Sequence, residues 1–446
     1  MTKVFQIIIV AIALTSTAYS QQVRSSYFSV NNMNSMDNIV RAHNSDEIIA
    51  NSLSRVTNLE MFAFISNAIV PYAILSSSYR VNDFVVLNDY IYFCGKNVTS
   101  DCGYIGMFNI STMGGFTYMN IVESKTLTKL VAYNGTRTST TGIVAIGTPQ
   151  NTSYLSCVVD FNNYASTASG WRYWYSQTNT DYITDISLVN NDILVTVGKS
   201  VSSSLGGFNI PKLYLRLYKR YGVLTSGMED ELAELSNVAL PTNNGNFMVL
   251  PIDNDTVAIV GATTLHYIAS THTYGISVRK IDINRRVMNN YQFIMNGSGA
   301  IPDLEYFPST KKLAILFNKT NEMGEVVFAD LTKTSSYSPL KLQKDEMRFS
   351  SIARYDNDYF VVGCLPPINA MFPTLPILQE NLNTFTESNC SSDSSVEATV
   401  NTTTTWMTIN DKPFNNLIID KKAPITGDFP EIPQTDITVH CANYYK

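Results

Sequence analysis

A hairpin pattern that recurs along the chain is the feature that most limits what this sequence can fold into. Residues 81–95 read VNDFVVLNDYIYFCG, an alternating run, an Asn-Asp pair and a second apolar run that ends in glycine. Alternation with a period of two predicts strands, and Asn and Asp favour turn conformations. Each unit therefore predicts a β-hairpin. The same order recurs in residues 183–198, 247–261 and 349–363. A related run with a different turn lies at 301–317, and a looser copy with a longer turn lies at 127–147.

The spacing of these hairpins predicts the architecture. Most are followed by a third apolar run, such as LYLRLY at 213–218, so that a unit holds three or four strands in about fifty residues. So small a sheet cannot bury both faces alone, whereas radial packing lets each unit cover its neighbours. The sequence therefore predicts an all-β β-propeller of six or seven blades. The alternative is a pair of tandem β-sandwiches, which share the alternation and the turn spacing. The units are predicted at residues 81–126, 127–181, 182–245, 246–299, 300–347 and 348–378.

Seven blades are favoured because both chain ends contain strand-like runs. Residues 59–80 include the runs MFAFI and YAIL, which would be outer strands of a closing blade. Residues 434–446 would supply its first strand, since Thr435-Asp436-Ile437 resembles the start of the unit at Thr184. The Ser-, Thr- and Asn-rich stretch 379–405 is predicted to be a long loop before this closure.

The first twenty residues indicate export. Lys3 is followed by the apolar run 4–14 and then by Ala18-Tyr19-Ser20, the pattern of a signal peptide cleaved after Ser20. The apolar run is about half the length that a membrane-spanning helix needs, and no later run is long enough. We therefore expect a secreted or extracytoplasmic protein without a transmembrane segment.

An even number of cysteines in an exported chain predicts disulfides. Cys94 and Cys102 flank a predicted turn, so that a bridge between them would join one hairpin. Cys364 and Cys390 are the next nearest pair, which leaves Cys157 and Cys441 as the third. Without any CxxC motif, metal binding by these cysteines is the weaker interpretation.

Composition excludes several classes of function. Only 15% of residues are charged, the net charge is −6 and no long Lys/Arg run occurs, so we expect no nucleic-acid partner. Four histidines without metal-ligand spacing predict no metal site. Neither a phosphate-binding glycine loop nor a GxGxxG motif is present, so we expect no cofactor.

One stretch carries a family resemblance. Asn82-Asp83, Tyr92-Phe93-Cys94-Gly95 and the run GYIGMFNI at 103–110 resemble the repeat units of a group of uncharacterised exported propeller-like proteins of anaerobic gut bacteria. The resemblance is strong over residues 81–110 and diffuse elsewhere. It implies export and a propeller fold, and it implies no activity.

Three aspartates occupy one position in the repeat. Asp83, Asp185 and Asp303 are each the third residue of a first strand, and Asp436 is a fourth candidate. First strands are innermost in a propeller, so these carboxylates would meet at the central channel. The first interpretation is that they accept hydrogen bonds from the adjacent blade and tie blades together. The alternatives are binding of a cation or polar ligand, and acid–base catalysis on a glycosidic bond.

An aromatic cluster is the second candidate site. Trp171, Tyr173 and Trp174 lie in the run SGWRYWYS before the third hairpin of the sequence. Exposed aromatic rings stack on sugars and dominate protein contacts. Their alternation is equally typical of an outer strand packed between blades, which is the favoured interpretation.

The sequence thus predicts an exported module that binds a ligand or partner, a glycan or a protein, on one loop face of a propeller. One alternative is a carbohydrate-active enzyme that uses the channel aspartates. The other is a structural surface protein without a ligand. The oligomeric state does not follow from the sequence.

Overall fold

The computed structural model is built almost entirely of β-strands, and within its described residues the one helix is a short 3-10 turn at Phe385–Glu387. It describes residues 23–444 apart from 35–37, 44–46, 55–56, 67–68, 135–140, 152–155, 162–170, 176–180, 190–192, 204–208, 220–226, 232–246, 269–270, 283–286, 296, 321–322, 345, 367–373, 402–408, 413–415, 420–424 and 430–433. The predicted signal peptide at residues 1–20 lies outside the described residues.

The chain begins with β1 (Val23–Val30) and then builds successive antiparallel units, each from consecutive strands. The first unit holds β2 (Ile39–Ala42), β3 (Ile48–Leu53), β4 (Glu60–Ile65) and β5 (Ile69–Ile74). The second holds β6 (Tyr79–Leu87), β7 (Tyr90–Asn97), β8 (Cys102–Asn109) and β9 (Phe116–Ile121). The third holds β10 (Ser124–Asn134), β11 (Thr141–Pro149), β12 (Cys157–Phe161) and β13 (Trp171–Tyr175).

The next units repeat this plan. The fourth holds β14 (Asp181–Val189), β15 (Ile193–Ser203), β16 (Asn209–Lys219) and β17 (Gly227–Glu231). The fifth holds β18 (Met248–Pro251), β19 (Thr256–Ile268), β20 (Thr271–Asp282) and β21 (Val287–Met295). The sixth has a divided first strand and holds β22 (Gly299–Ala300), β23 (Leu304–Phe307), β24 (Lys312–Lys319), β25 (Gly324–Asp330) and β26 (Leu340–Gln343).

The seventh unit combines the two ends of the chain. Its strands β27 (Arg348–Arg354), β28 (Tyr359–Leu365) and β29 (Leu375–Asn381) are completed by β1, which pairs with β29. A late strand, β35 (Gln434–Tyr444), pairs with β1 along most of its length and with β5 through its first three residues. In the part of the chain that is described, backbone hydrogen bonds therefore form six sheets, the largest of which has nine strands and joins the seventh unit to the first.

Apolar cores between neighbouring units hold the ring together. Seven clusters of buried side chains occupy the seven junctions, including the closing junction, where Val361 and Ile377 pack with Val40 and Ala63. Each sheet thereby buries both faces, which it could not do alone. The predicted all-β propeller is confirmed.

The residues after the seventh unit form a feature that the sequence did not reveal. Five short strands each add to the outer edge of one unit, from the sixth back to the second, before β35 returns to the seventh. We call Ser392–Tyr444 the perimeter belt. Its strands are β30 (Ser392–Ser395) on β26, β31 (Ala398–Asn401) on β21, β32 (Ile409–Lys412) on β17, β33 (Asn416–Ile419) on β13 and β34 (Ile425–Gly427) on β9.

Two expectations for the chain ends are corrected. Residues 379–405, predicted as a loop, contain the end of β29, the 3-10 turn and two belt strands. Residues 59–80 are outer strands as expected, but they belong to a first unit whose inner hairpin is β2–β3. We missed that hairpin because residues 43–47 replace the Asn-Asp turn. Finally, β35 is an outer strand and not a first strand.

Candidate functional site

Asp83 and Asp185 lie on innermost strands next to a repeated irregularity, and Asp303 lies between β22 and β23, the two parts of a divided first strand. In β6 the pairing with β7 shifts between Val81 and Asp83, which makes Asn82 the extra residue of a β-bulge. In β14 the same shift between Ile183 and Asp185 makes Thr184 the extra residue. Bulges bend a strand and redirect its side chains. Here they turn two adjacent polar side chains toward the following unit.

In the hairpins at 81–95 and 127–147 the closing glycine is explained by this bulge. Gly95 is paired with Val81, and a Cβ on Gly95 would lie 1.8 Å from the carbonyl oxygen of Arg80. Gly147 faces the bulge of β10, where a Cβ would lie 2.0 Å from the carbonyl oxygen of Thr126. Only glycine allows so close an approach of two backbones.

The three aspartates make the same contact. Asp83 Oδ2 accepts a hydrogen bond from the backbone N–H of Leu130 (3.1 Å). Asp185 Oδ2 accepts one from Val249 (2.8 Å), and Asp303 Oδ2 accepts one from Ile352 (3.0 Å).

In every case the donor lies on the innermost strand of the next unit. The side chain before the aspartate adds a second tie, since Asn82 Nδ2 donates to the carbonyl of Leu127 and Thr184 Oγ1 donates to that of Phe247, both at 2.6 Å. Each carboxylate therefore joins two blades.

A serine makes the equivalent contact where the ring closes. Ser351 follows a bulge in β27, and its Oγ accepts a hydrogen bond from the N–H of Val40 in β2 (2.8 Å). The donor and the acceptor are 311 residues apart in the sequence. The innermost strands of the last and first units are thus joined by the same kind of hydrogen bond, with a hydroxyl as acceptor in place of a carboxylate.

Two basic side chains accompany the acids at the channel. Arg41 in β2 donates to Asp83 Oδ1 (3.2 Å) and to Asp303 Oδ2 (3.1 Å), and so links the second and sixth units. Burial alone would lower the pKa of Arg41, but these two carboxylates outweigh it and raise the pKa. Lys129 in β10 is affected likewise, because burial is outweighed by the negative charges of Asp83, Asp185 and Asp303.

Two acids in this region hold protons more tightly than usual. Burial raises the pKa of Asp185 to about 6, although Lys129 and the N–H of Val249 act in the opposite direction. Burial also raises the pKa of Glu305 to about 7, opposed by the backbone N–H and the charge of Arg354. Removing a carboxylate from water disfavours its charged form, so both groups lie close to their titration range at neutral pH.

The geometry therefore gives the channel aspartates a structural role, the interpretation placed first in the sequence analysis. Asp83, Asp185 and Asp303 are 3%, 6% and 8% exposed, and each carries a backbone hydrogen bond between blades. Asp436 is not part of this set, because it lies exposed in β35 and pairs with Ile69 at the periphery. Among the described residues, no group of three His, Cys, Asp or Glu side chains is arranged to hold a metal ion.

Arg41, Lys129 and Ser351 were missed by the sequence reasoning. For Lys129 and Ser351 a signal existed, since both occupy the aspartate position of their own repeat units. Arg41 had none, because its hairpin was not recognised.

The aromatic candidates lie on a fourth strand. Trp171, Tyr173 and Trp174 belong to β13, which pairs with β12 on one side and with β33 of the perimeter belt on the other. This agrees with the interpretation as an outer strand. Their side chains lie outside the part of the chain that the structure describes.

The predicted cysteine pairing is wrong. The disulfide joins Cys390 to Cys441, whereas Cys94, Cys102, Cys157 and Cys364 are buried thiols. In the β7–β8 hairpin Cys102 is opposite Asn97 and Cys94 is opposite Ile105, so the two cysteines are three pairs apart. At about 3.3 Å per residue their backbones are too distant for a bridge.

Four exposed apolar side chains lie at one end of the ring. Val98 follows β7, Val122 follows β9, Tyr182 begins β14 and Met323 precedes β25. They are 38–49% exposed. Alternating strand directions place the loops after second and fourth strands at the same end of the propeller, which we call the Val98 face. Outside the perimeter belt, Leu340 is the other large exposed apolar side chain among those described, and it lies at the opposite end.

Comparison with known proteins adds little beyond this. No protein-family model and no curated protein matches the chain. Among solved structures, a chain of the S. cerevisiae complex of dbp5 bound to nup159, gle1, IP6 and ADP aligns with 10% identity and a TM-score of 0.34, covering 81% of this chain and 96% of that one. The N-terminal domain of Nup159 aligns with 10% identity and a TM-score of 0.34, covering 80% and 96%. Within the described residues no helix is long and apolar enough to cross a membrane.

Proposed function

We propose that this protein is an exported interaction module that holds a partner on the Val98 face. The observation that carries the proposal is that Val98, Val122, Tyr182 and Met323 are all exposed at the same end of the ring. When a partner buries large apolar side chains that were exposed to water, the binding free energy becomes more favourable. The signal-peptide pattern of residues 1–20 and the disulfide support export.

The face is held in a defined shape. Val98 donates its N–H to the carbonyl of Ser78 (2.7 Å), and Lys96 forms an ion pair with Asp101 (2.6 Å). Gln150, from the next unit, donates through Nε2 to the carbonyl of Asp101 (2.5 Å). Loops that are fixed by such contacts lose little entropy on binding, which favours a preformed contact surface.

A carbohydrate-active enzyme built on the channel aspartates is not supported by the geometry. Such an enzyme needs two carboxylates available across a pocket. Here Asp83 and Asp303 are both occupied by Arg41 and by backbone N–H groups, and Asp185 accepts the N–H of Val249. We therefore assign recognition to the loop face and stability to the channel.

The proposal is tested by screening the mature protein on a glycan array together with two variants. Val98→Asp/Val122→Asp places two charges on the proposed face, and Leu340→Asp places one on the opposite end as a control. We expect bound glycans to be lost only with the first variant. Binding that survives Val98→Asp/Val122→Asp would contradict the assignment to this face, and a wild-type protein that binds no glycan would leave a protein as the partner class.

A further inference from the structure

The perimeter belt covers edges that are otherwise suited to strand addition. The outermost strands β26, β21, β17, β13 and β9 each pair with one belt strand of three or four residues. An uncovered outer strand presents unpaired backbone groups on which another chain can add. The belt occupies those groups with the protein's own backbone.

The belt also joins neighbouring units to each other. Ala398 exchanges two backbone hydrogen bonds with Tyr337 of the sixth unit (3.0 and 3.1 Å), while β31 pairs with β21 of the fifth. At the other end, β35 pairs with β5 of the first unit and with β1 of the seventh. The belt thus acts between blades as well as on their edges.

Apolar side chains of the belt enter the cores between units. Ala398 and Val396 are buried in the core between the fifth and sixth units. Phe429 packs on Phe108 and Phe116 of the second unit, with ring centroids 5.1 and 5.3 Å apart. Each of these contacts stabilises the belt only a little, so the belt stays on the blade edges because many such contacts are made together.

The two ends of the belt are covalently joined. Cys390 immediately precedes the belt, Cys441 lies near its end, and their disulfide spans 51 positions of sequence. The Cys390 segment is held in place by Glu380, which is fully buried and accepts hydrogen bonds from Ser388 (2.8 Å) and Ser391 (2.7 Å). Ser388 in turn accepts the N–H of Cys390 (2.9 Å).

We propose that the Cys390–Cys441 disulfide is a redox latch that controls whether the belt covers the outer edges of the blades. With the latch closed, belt strands too short to persist singly are kept at their edges by a closed loop. A dithiol reductant opens the latch: its two thiols become a disulfide, the Cys390–Cys441 bond breaks, and both cysteines become thiols. The loop is then closed only by the pairing of β35 with β1 and β5, so that the short strands can leave their edges.

The experiment is hydrogen exchange of the full mature chain with and without a dithiol. On reduction we expect amides of the outer strands β9 and β21 to exchange about tenfold faster over minutes, because their partners leave. The second strand β7 remains protected, since it pairs with β6 and β8. The matched control is Cys390→Ser/Cys441→Ser, which retains the four other thiols and should exchange like the reduced wild type with or without dithiol.

Two results would overturn the proposal. One is unchanged exchange in β9 and β21 although alkylation shows that Cys390 and Cys441 are fully reduced. The other is an equal acceleration in β7, which would mean that the disulfide stabilises the whole ring and does not act on the belt. Should the double variant fail to fold, reduction of the folded wild type decides between these outcomes.

Discussion

Single side chains on the innermost strands connect each blade to the next. The contact is chemically simple, because a carboxylate or hydroxyl of one unit accepts the backbone N–H of the following unit. Loss of the contact is costly, because a buried N–H without an acceptor costs about 1–3 kcal/mol. Polar residues at these positions therefore contribute to stability although they resemble a catalytic set.

Removing one of these carboxylates tests this role. Asp83→Ala deprives the N–H of Leu130 and the guanidinium of Arg41 of a partner, and we expect the free energy of unfolding to fall by about 3 kcal/mol. Denaturant unfolding measures the loss. The matched control is Asp436→Ala, an exposed aspartate on β35, which should change stability by less than about 0.5 kcal/mol. Similar losses for both variants would contradict the assignment.

The raised pKa of Asp185 predicts a pH dependence. Between the ordinary aspartate pKa of about 4 and the folded value of about 6, the folded state binds more protons than the unfolded state. This group therefore stabilises the fold at low pH, and its contribution is lost as pH rises toward 6. Across that range wild type should lose about 2 kcal/mol relative to Asp185→Asn, which retains an acceptor for Val249. Parallel pH profiles for the two proteins would show that the carboxyl titrates normally.

At the scale of the element, the bulge in the first strand and the glycine opposite it in the second strand depend on each other. The extra residue in the first strand brings the backbone close to the second strand, and a glycine is needed where they meet. This explains why the predicted hairpins at 81–95 and 127–147 both end in glycine although their turn residues differ. The left-handed Asn88, with φ of 54°, supplies the turn of the same hairpin.

The bulge predicts a position-specific cost for alanine. In Gly95→Ala the new Cβ would lie 1.8 Å from the backbone oxygen of Arg80, so the hairpin must shift, and we expect a loss of about 3 kcal/mol. In Gly114→Ala the nearest atom to the new Cβ is 3.9 Å away, so this variant is the control. Thermal unfolding compares the two, and equal melting temperatures would mean that the bulge adjusts freely.

At the scale of the whole molecule, stability is shared around the ring. Every unit contributes to the cores on both of its sides, and the last junction joins β27–β29 to the first unit. A weakened junction therefore affects blades that it does not touch. The perimeter belt adds a second, external connection between the same units.

Shared stability predicts one unfolding transition. Phe62 is fully buried at the junction of the first and second units, with its ring 5.4 Å from that of Phe84. Phe62→Ala should cost about 3–5 kcal/mol. The unfolding midpoint should shift equally by circular dichroism and by tryptophan fluorescence, to which Trp171 and Trp174 of the third unit contribute together with Trp406. Phe62→Leu is the milder control. A fluorescence midpoint unmoved by Phe62→Ala would show that the units unfold separately.

The repeat pattern determined much of the fold from the sequence alone. Alternation, Asn-Asp turns and a closing glycine are local signals, so the hairpins of the second to seventh units and the equivalence of Asp83, Asp185 and Asp303 could be predicted. The partners of these aspartates, the crossing of the channel by Arg41, the perimeter belt and the Cys390–Cys441 pairing depend on contacts between residues far apart in the chain. No local pattern encodes them, because they exist only once the units have packed against one another around the ring.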